Sequence, residues 1–333
     1  MDGLSLSALV LPSSPFRDER GSLQHTLKSP IGCVGVGVHS GRRVSLTLVP
    51  ADIDTGIVFR RTDLGDCDIP ARFDLVTDTR LCTVLTDPAE PCRSVSTVEH
   101  VMAALAGAGI DNARIDVDGP ELPILDGSAA PFLFLIDCAG IVAQTACRSR
   151  IEMLRPVRVE DGEAYAELLP ESYDGKGALD MAMSIEFAAA AIGRQALSLT
   201  LSKDSFRNEL ADARTFALAC DIAQLHAAGL ALGGSLQNAV VVDGAKVLNP
   251  AGLRMKDEFV RHKLLDAVGD LALAGVPIVG RFVAHRSGHS LNNRLLRALF
   301  SDGTAWRRVS ASTEQAEPAW MVPSPREMSF ATA

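Results

Sequence analysis

The chain has 333 residues, of which 47% are hydrophobic and 22% charged, and a formal net charge of −9 at pH 7. The acidic balance argues against general nucleic-acid binding, because no excess of cations is present to neutralise phosphates. The length favours two domains, and no run approaches the roughly 20 apolar residues of a membrane span.

The cysteines and the N-terminus indicate the compartment. The seven cysteines are odd in number and include no CxxC pair, which predicts free thiols in a reducing compartment. The N-terminus has an acidic second residue and no basic segment before its apolar residues, unlike a secretory signal. We therefore expect a cytoplasmic protein with a flexible leader at residues 1–22.

Residues 23–147 are predicted to form an N-terminal α+β domain. Alternating strand patterns occur in GVGVHSGRRVSLTLVPA, TGIVFRRTD and RLCTVLTD. A helix is predicted from Ser96 to about Leu105 and another from Ser128 to about Asp137, with the strand NARIDVDG between them.

Residues 148–305 are predicted to form a C-terminal α+β domain that repeats this order. Its strands lie in VRVEDGEAYAELLP, ALDMAMSIEF and IVGRFVAHR, and its helices at 257–274 and in SLNNRLLRALF. The repeated order of strand, strand, helix, strand and helix suggests duplication of an α+β unit. Residues 306–333 are expected to form an irregular tail.

An inserted element is predicted at about 216–250. It combines a helical stretch, a Gly-Gly break and a hairpin in which Asp243-Gly244 turns AVVV back into KVLN. A helix–hairpin insert of this kind either shapes a binding passage or serves only packing.

The predicted helix at 257–274 carries a polar stripe. His262, Asp266 and Asp270 are spaced four apart, so their side chains stack along one helical face, and Glu258 begins the same row. An imidazole and carboxylates on an apolar helix suit a metal ion or a proton relay. A solvated face with i,i+4 hydrogen bonds is the alternative, and the helix alone favours that alternative.

Glu99 and His100 form a second polar cluster. Ser96 and Glu99 fit a capping box, in which the carboxylate bonds back to the N-cap amide. His100 has no evident partner in its apolar helix. A metal would explain His100, and Glu99 would then act as a base beside a bound water.

A third cluster, SGHSLNN, places His289 in a turn before a helix. It is either a turn histidine with Ser287 or Ser290 as the N-cap, or an acid. A helix N-terminus disfavours imidazolium, so a charged His289 needs an anionic partner. Asp270 can be that partner, because it lies too far along its helix to share one ion with His262 and Asp266. Thr215 in ARTF is by itself only weak evidence for a catalytic residue, because a single threonine is usually structural.

Six motifs together resemble the UDP-3-O-acyl-N-acetylglucosamine deacetylases, which are zinc amidases of lipid A biosynthesis. They are STVEHVMAALAGAGIDN, ELPILDGSAAPF, ARTF, LGGS, DEFVRHKLLDAVGDL and SGHSLNN. They occur in the family's order and cover residues 27–305. The resemblance implies two similar domains, each a sheet packed on two helices, in a layered β-α-α-β sandwich with the site at their interface.

The resemblance also implies the roles of the site residues. One Zn²⁺ per chain would be bound by His100, His262 and Asp266. The proposed catalytic residues are Glu99 as general base, His289 as proton donor assisted by Asp270, and Thr215 as a donor to the oxyanion. The proposed substrate-binding residues are Lys263, Phe216 and Gly233, and the insert would form the acyl passage.

The implied partner is a small molecule, an acylated UDP-amino sugar that loses acetate. We expect a monomer that binds no nucleic acid, and peripheral contact with a membrane stays open. One alternative is a zinc deacetylase that acts on another acetamido compound. Another is a nucleotide-sugar-binding protein without activity, in which caps and polar faces account for each cluster.

Overall fold

The computed structural model describes residues 23–171 and 177–310. Within these ranges the fold is mixed α+β, as the sequence predicts, with twenty strands and six α-helices. The predicted leader, residues 1–22, lies outside the described residues.

The first half of the chain supplies ten strands and two helices. The strands are β1 (Leu23–Leu27), β2 (Ile31–Val36), β3 (Arg43–Pro50), β4 (Ile57–Arg61), β5 (Cys67–Pro70), β6 (Val76–Asp78), β7 (Val84–Thr86), β8 (Ser94–Ser96), β9 (Ala113–Val117) and β10 (Ile141–Cys147). The helices are α1 (Glu99–Ala108) and α2 (Ala130–Ala139), and 3₁₀ turns occur at Thr62–Leu64 and Phe73–Leu75.

The second half supplies the remaining ten strands and four helices. The strands are β11 (Ser149–Met153), β12 (Val157–Asp161), β13 (Ala164–Leu169), β14 (Leu179–Glu186), β15 (Arg194–Thr200), β16 (Phe216–Leu218), β17 (Val240–Asp243), β18 (Lys246–Val247), β19 (Ile278–His285) and β20 (Trp306–Ser310). The helices are α3 (Lys203–Ser205), α4 (Ala219–Ala227), α5 (Glu258–Ala272) and α6 (His289–Ser301), and a π-helical turn spans Phe206–Leu210.

Each half has a large sheet with one buried face. The first is five-stranded in the order β2-β3-β9-β4-β5, and β3 buries Val44, Leu46 and Leu48 while Arg43 and Ser45 are exposed. In the second sheet, β19 pairs in antiparallel fashion with β13 and in parallel fashion with β11 and β14. The alternation of apolar and polar residues along β3 is typical of sheets that cover a core on one side.

The inserted element contains one more strand than the sequence predicts. The expected hairpin is present as β17 and β18, with Asp243 opposite Lys246, and α4 is the expected helix. In addition, β16 pairs in parallel with β17 and completes a three-stranded sheet. A strand of three residues is too short to produce a recognisable alternation, which explains why the pattern did not reveal β16.

The prediction that the irregular tail begins at residue 306 is wrong for its first five residues. These form β20, which pairs in antiparallel fashion with β11 from Ser149–Ser310 to Met153–Trp306. Trp306 also packs edge-on against Phe300 of α6, with ring centroids 5.1 Å apart. The sequence WRRVS is too polar to be recognised as an edge strand from its pattern alone. Residues 311–333 lie outside the described part of the chain.

Helices α1 and α5 pack against each other and position the candidate site. α1 is buried on nearly all sides, as is typical of a core helix, and ends at Gly109, which adopts the left-handed conformation. α2 packs against α1, and α6 packs against α5. None of the helices in the described ranges combines the length and the apolar character needed to cross a membrane.

Candidate metal and catalytic site

His262, Asp266 and His100 come together between α5 and α1. One potential ligand atom from each lies within 4.8 Å of the others, and all three residues are buried. Asp266 Oδ1 lies 3.3 Å from His262 Nε2 and 3.6 Å from His100 Nε2. His262 and Asp266 lie on one helical face as their spacing predicts, but the solvated face that the helix alone favoured is wrong, because both residues are buried. The third residue, His100, comes from the other half of the chain.

The orientation of His262 suits a metal ligand. Its Nδ1 lies 2.9 Å from the carbonyl oxygen of Ala213, which fixes Nδ1 as the donor and leaves the Nε2 lone pair facing Asp266. Burial lowers the pKa of His262 to about 4, although Asp266 opposes this effect. The imidazole is therefore neutral at physiological pH, as metal binding requires.

Two buried polar atoms at this point have no hydrogen-bond partner among the described residues. They are Asp266 Oδ1 and His100 Nδ1. Burial alone would raise the pKa of Asp266, but His262 and Lys263 hold it well below its ordinary value, so the carboxylate is charged. A buried, charged oxygen without a donor is costly, and a divalent cation would satisfy it. Two imidazoles and one carboxylate with an open position form a donor set typical of catalytic zinc.

Glu99 is the first residue of α1 and turns its carboxylate towards this site. The capping-box interpretation is wrong, because Ser96 belongs to β8 and the helix begins after Val98 without a side-chain cap. Glu99 Oε2 instead accepts a hydrogen bond from the Thr83 amide at 3.0 Å, and Oε1 lies 3.9 Å from His289 Nε2. Burial raises the pKa of Glu99, although His289 and His100 partly offset it, which strengthens the carboxylate as a proton acceptor.

His289 is the first residue of α6 and forms a buried pair with Asp270. Its Nδ1 donates to Asp270 Oδ2 at 2.9 Å, and Asn292 Nδ2 donates to the same oxygen at 2.8 Å. The N-cap is Gly288, without a side-chain cap, so the serine-cap alternative is wrong. Burial would lower the pKa of His289, but Asp270 and Glu99 outweigh it and raise the value to about 9. His289 is therefore charged near neutral pH.

Thr215 and Phe216 follow the carbonyl that orients His262. The Thr215 amide donates to the Gly127 carbonyl, and its own carbonyl accepts from the Val240 amide, each at 2.8 Å. The Phe216 ring stands edge-on to the His262 ring, with centroids 6.4 Å apart. The ARTF segment is therefore held against the candidate metal site.

The remaining two predicted substrate residues lie in different surroundings. Lys263 Nζ lies 3.4 Å from Asp266 Oδ2, beside the candidate metal site. Gly233 packs on the 37–41 segment, where its amide donates to the Val38 carbonyl and a β-carbon would overlap the Gly37 oxygen. Lys263 thus lies beside the candidate ligands, whereas Gly233 allows its backbone to approach the 37–41 segment closely.

The pattern of the sequence did not reveal several residues that support the site. Thr83 bonds to both Glu99 and Asp270. Arg214 and Glu258 form a buried ion pair, with Arg214 Nε 2.8 Å from Glu258 Oε1, which fixes the segment that orients His262. Glu258 therefore lies on the same helical row as His262, Asp266 and Asp270, but its carboxylate pairs with Arg214. No local pattern links Arg214 to Glu258, because the two residues lie 44 positions apart in the chain.

The chain is similar to known proteins over most of its length. Residues 24–301 match the family model described as UDP-3-O-acyl N-acetylglycosamine deacetylase. Three similar proteins carry the name UDP-3-O-acyl-N-acetylglucosamine deacetylase. The one from Idiomarina loihiensis is 51% identical over 88% of this chain and 94% of its own length. Those from Shewanella frigidimarina and Phenylobacterium zucineum are 48% and 49% identical, over 90% and 88% of this chain and 97% and 99% of their own lengths.

Proposed function

The chain belongs to the UDP-3-O-acyl N-acetylglycosamine deacetylase family, and from this premise we propose that it uses a zinc ion held by His100, His262 and Asp266. The protein is a hydrolase that removes the N-acetyl group from a UDP-3-O-acyl-N-acetylglucosamine in lipid A biosynthesis. The observation that carries the zinc proposal is the buried Asp266 Oδ1, which lies near two imidazole nitrogens and has no hydrogen-bond partner within residues 23–171 and 177–310. When bound, one zinc ion per chain would lower the pKa of a water towards ~7 and polarise the acetamide carbonyl.

We assign the first proton transfer to Glu99. Its carboxylate is buried and has a raised pKa, and Glu99 directly precedes His100 in the sequence. Glu99 accepts a proton from water as the water oxygen adds to the acetamide carbonyl carbon. The Thr215 hydroxyl donates to the oxygen that becomes negative in this step.

We assign the second proton transfer to His289. The C–N bond breaks only if the sugar nitrogen receives a proton, because an amide anion is a very poor leaving group. The charged His289 supplies that proton from Nε2, the nitrogen that faces Glu99, while Nδ1 stays bonded to Asp270. The products are acetate and the free amino sugar nucleotide.

We propose that Lys263, Phe216 and Gly233 contribute to substrate binding, and that the insert at about 216–250 forms the passage for the acyl chain. Lys263 places a cation beside the reaction centre, Phe216 adds an apolar wall, and Gly233 fixes the insert on the 37–41 segment. An acylated UDP-amino sugar needs both an apolar passage and local cations.

We further propose that the protein is a cytoplasmic monomer that binds no nucleic acid and whose membrane contact, where it occurs, is peripheral. All seven cysteines are free thiols, which suits a reducing compartment. We propose two domains, residues 23–147 and residues 148–305 extended by β20, in a layered β-α-α-β arrangement. The packing of α1 on α5 supports this layering.

An acetate-release assay tests the proposed substrate. We expect release from the 3-O-acylated UDP-N-acetylglucosamine and at least a tenfold lower kcat/KM for the unacylated nucleotide sugar. Equal rates on both compounds would favour the alternative, a zinc deacetylase for another acetamido substrate. The absence of acetate release from either, with one zinc ion bound per chain, would contradict the proposed function.

A further inference from the structure

Thr83 links two carboxylates that come from different helices. It is buried directly before β7, and its amide donates to Glu99 Oε2 at 3.0 Å. Its hydroxyl donates to Asp270 Oδ1 at 2.7 Å. Glu99 begins α1 and Asp270 lies near the end of α5, so one residue joins the two halves of the chain at the candidate site.

The backbone of Thr83 is itself held in place on two sides. Its carbonyl oxygen accepts from the Val98 amide at 3.5 Å, directly before Glu99. The next residue, Val84, pairs with Ser96 in the antiparallel contact between β7 and β8. Thr83 therefore has a fixed position relative to the beginning of α1, and its hydroxyl transmits that position to α5.

The Thr83 hydroxyl is the hydrogen-bond donor to one of the two carboxylate oxygens of Asp270. The Oδ2 atom accepts from His289 Nδ1 and Asn292 Nδ2, and Oδ1 accepts from Thr83. A buried carboxylate needs donors on both oxygens. Without the Thr83 hydroxyl, Oδ1 loses the donor that the described residues give it, and the orientation of the carboxylate depends on Oδ2 alone.

We propose that Thr83 is a positioning residue that fixes the proton acceptor and the proton donor of the reaction relative to each other. The proposal rests on the proposed roles of Glu99 and His289. Thr83 holds Glu99 through its amide and sets the Asp270 carboxylate through its hydroxyl, and Asp270 in turn orients His289. His289 Nε2 is thereby kept 3.9 Å from Glu99 Oε1, on the side where the substrate nitrogen must receive its proton.

The substitution Thr83→Val tests this role, because valine keeps the shape and the amide but removes the hydroxyl. We expect kcat for acetate release to fall about 10- to 100-fold, the range for residues that orient a functional group, with KM and bound metal unchanged. The alkaline limb of the kcat profile should move to higher pH, because a carboxylate with one hydrogen-bond donor fewer attracts the His289 proton more strongly. Thr83→Ser keeps the donor and should recover most of the wild-type kcat.

A matched control is Thr86→Val, at the last residue of β7, the strand that follows Thr83. Thr86 is also buried, but its hydroxyl bonds to Thr77 at 2.6 Å, so this variant should keep the wild-type kcat and pH profile. If Thr83→Val does not fold, as judged by circular dichroism, Thr83→Ala provides the same comparison.

Two results separate the possible failures. Wild-type kcat and an unmoved alkaline limb in Thr83→Val, alongside inactive Glu99→Gln and His289→Ala, would overturn the role of Thr83 alone. Near-wild-type turnover in Glu99→Gln and His289→Ala would instead overturn the proposed function on which it rests.

Discussion

The backbone of Gly269 lies directly against the carbonyl oxygen of Glu99, so that a β-carbon at position 269 would overlap this oxygen. Gly269 precedes Asp270 in α5, and Glu99 precedes His100 in α1. The close contact of the two helices thus brings the candidate ligands and the residues proposed for proton transfer into one site.

Gly269→Ala should therefore push α1 and α5 apart. We expect the free energy of unfolding to fall by about 1–3 kcal/mol, as for other overpacked cores, with lower turnover as well. Chemical denaturation measures the first effect and acetate release the second. Gly303→Ala is the control, because a β-carbon there meets no atom within 4 Å, and it should leave both quantities unchanged.

Asp270→Asn should lower the pKa of His289, which Asp270 and Glu99 raise to about 9 against the effect of burial. In the wild type we expect the alkaline limb of kcat at or below pH 9, because a bound metal ion repels the imidazolium. In the variant, the limb should move to lower pH and kcat near pH 8 should fall. A pH profile of acetate release checks this, and an unmoved limb would contradict the role of Asp270.

The same pair predicts how the stability of the metal-free protein depends on pH. The pKa of His289 in the folded state, about 9, exceeds its ordinary value of 6.5. The contribution of the charged pair is therefore complete below pH 6.5 and is lost as the pH rises through about 9. Denaturation at pH 6 and pH 9.5 should show this loss in the wild type and a smaller loss in Asp270→Asn.

Arg214→Ala should strongly destabilise the protein. Glu258 is fully buried and accepts from Arg214 Nε at 2.8 Å, so the substitution leaves an uncompensated buried charge. We expect a loss of about 3–5 kcal/mol in the free energy of unfolding. The double variant Arg214→Met, Glu258→Leu removes both charges and should recover much of this loss, whereas equal destabilisation would contradict the account.

Glu99→Gln should separate catalysis from metal binding. The amide cannot accept the proton from water, so kcat should fall about 10²- to 10⁴-fold, while bound zinc stays near one per chain. Glu163→Gln, at an exposed glutamate paired with Arg286, is the control and should match the wild type. Acetate release and elemental analysis provide the two measurements.

The sequence allowed the α5 stripe to be predicted because helical periodicity is a local property. His262 and Asp266 meet as their spacing requires, and the separation of Asp270 from them follows from the same geometry. The α+β class was also predictable, since strand alternation and helical periodicity are both read within short windows. The charge that His289 would need at a helix N-terminus made Asp270 a candidate partner, and the family resemblance implied the pairing.

The supporting contacts were not predictable, because they join distant segments without a periodic signal. Thr83 contacts Asp270 across 187 positions of the chain, and Ala213 contributes only a backbone carbonyl to His262. Local rules also failed where tertiary packing decided the outcome. Ser96 and Glu99 match a capping box, yet Ser96 is part of β8 and the Glu99 carboxylate faces the site.

The most direct test of the central claim is a zinc titration of the stripped protein, followed by acetate release from the acylated UDP-sugar. We predict no turnover after chelation, a linear rise on adding zinc and saturation at one equivalent per chain. His262→Ala and His100→Ala should bind no zinc tightly and remain inactive, whereas His226→Ala, at an exposed histidine of the insert, should retain zinc. Full turnover by the stripped protein, or by a zinc-free His262→Ala variant, would contradict the account.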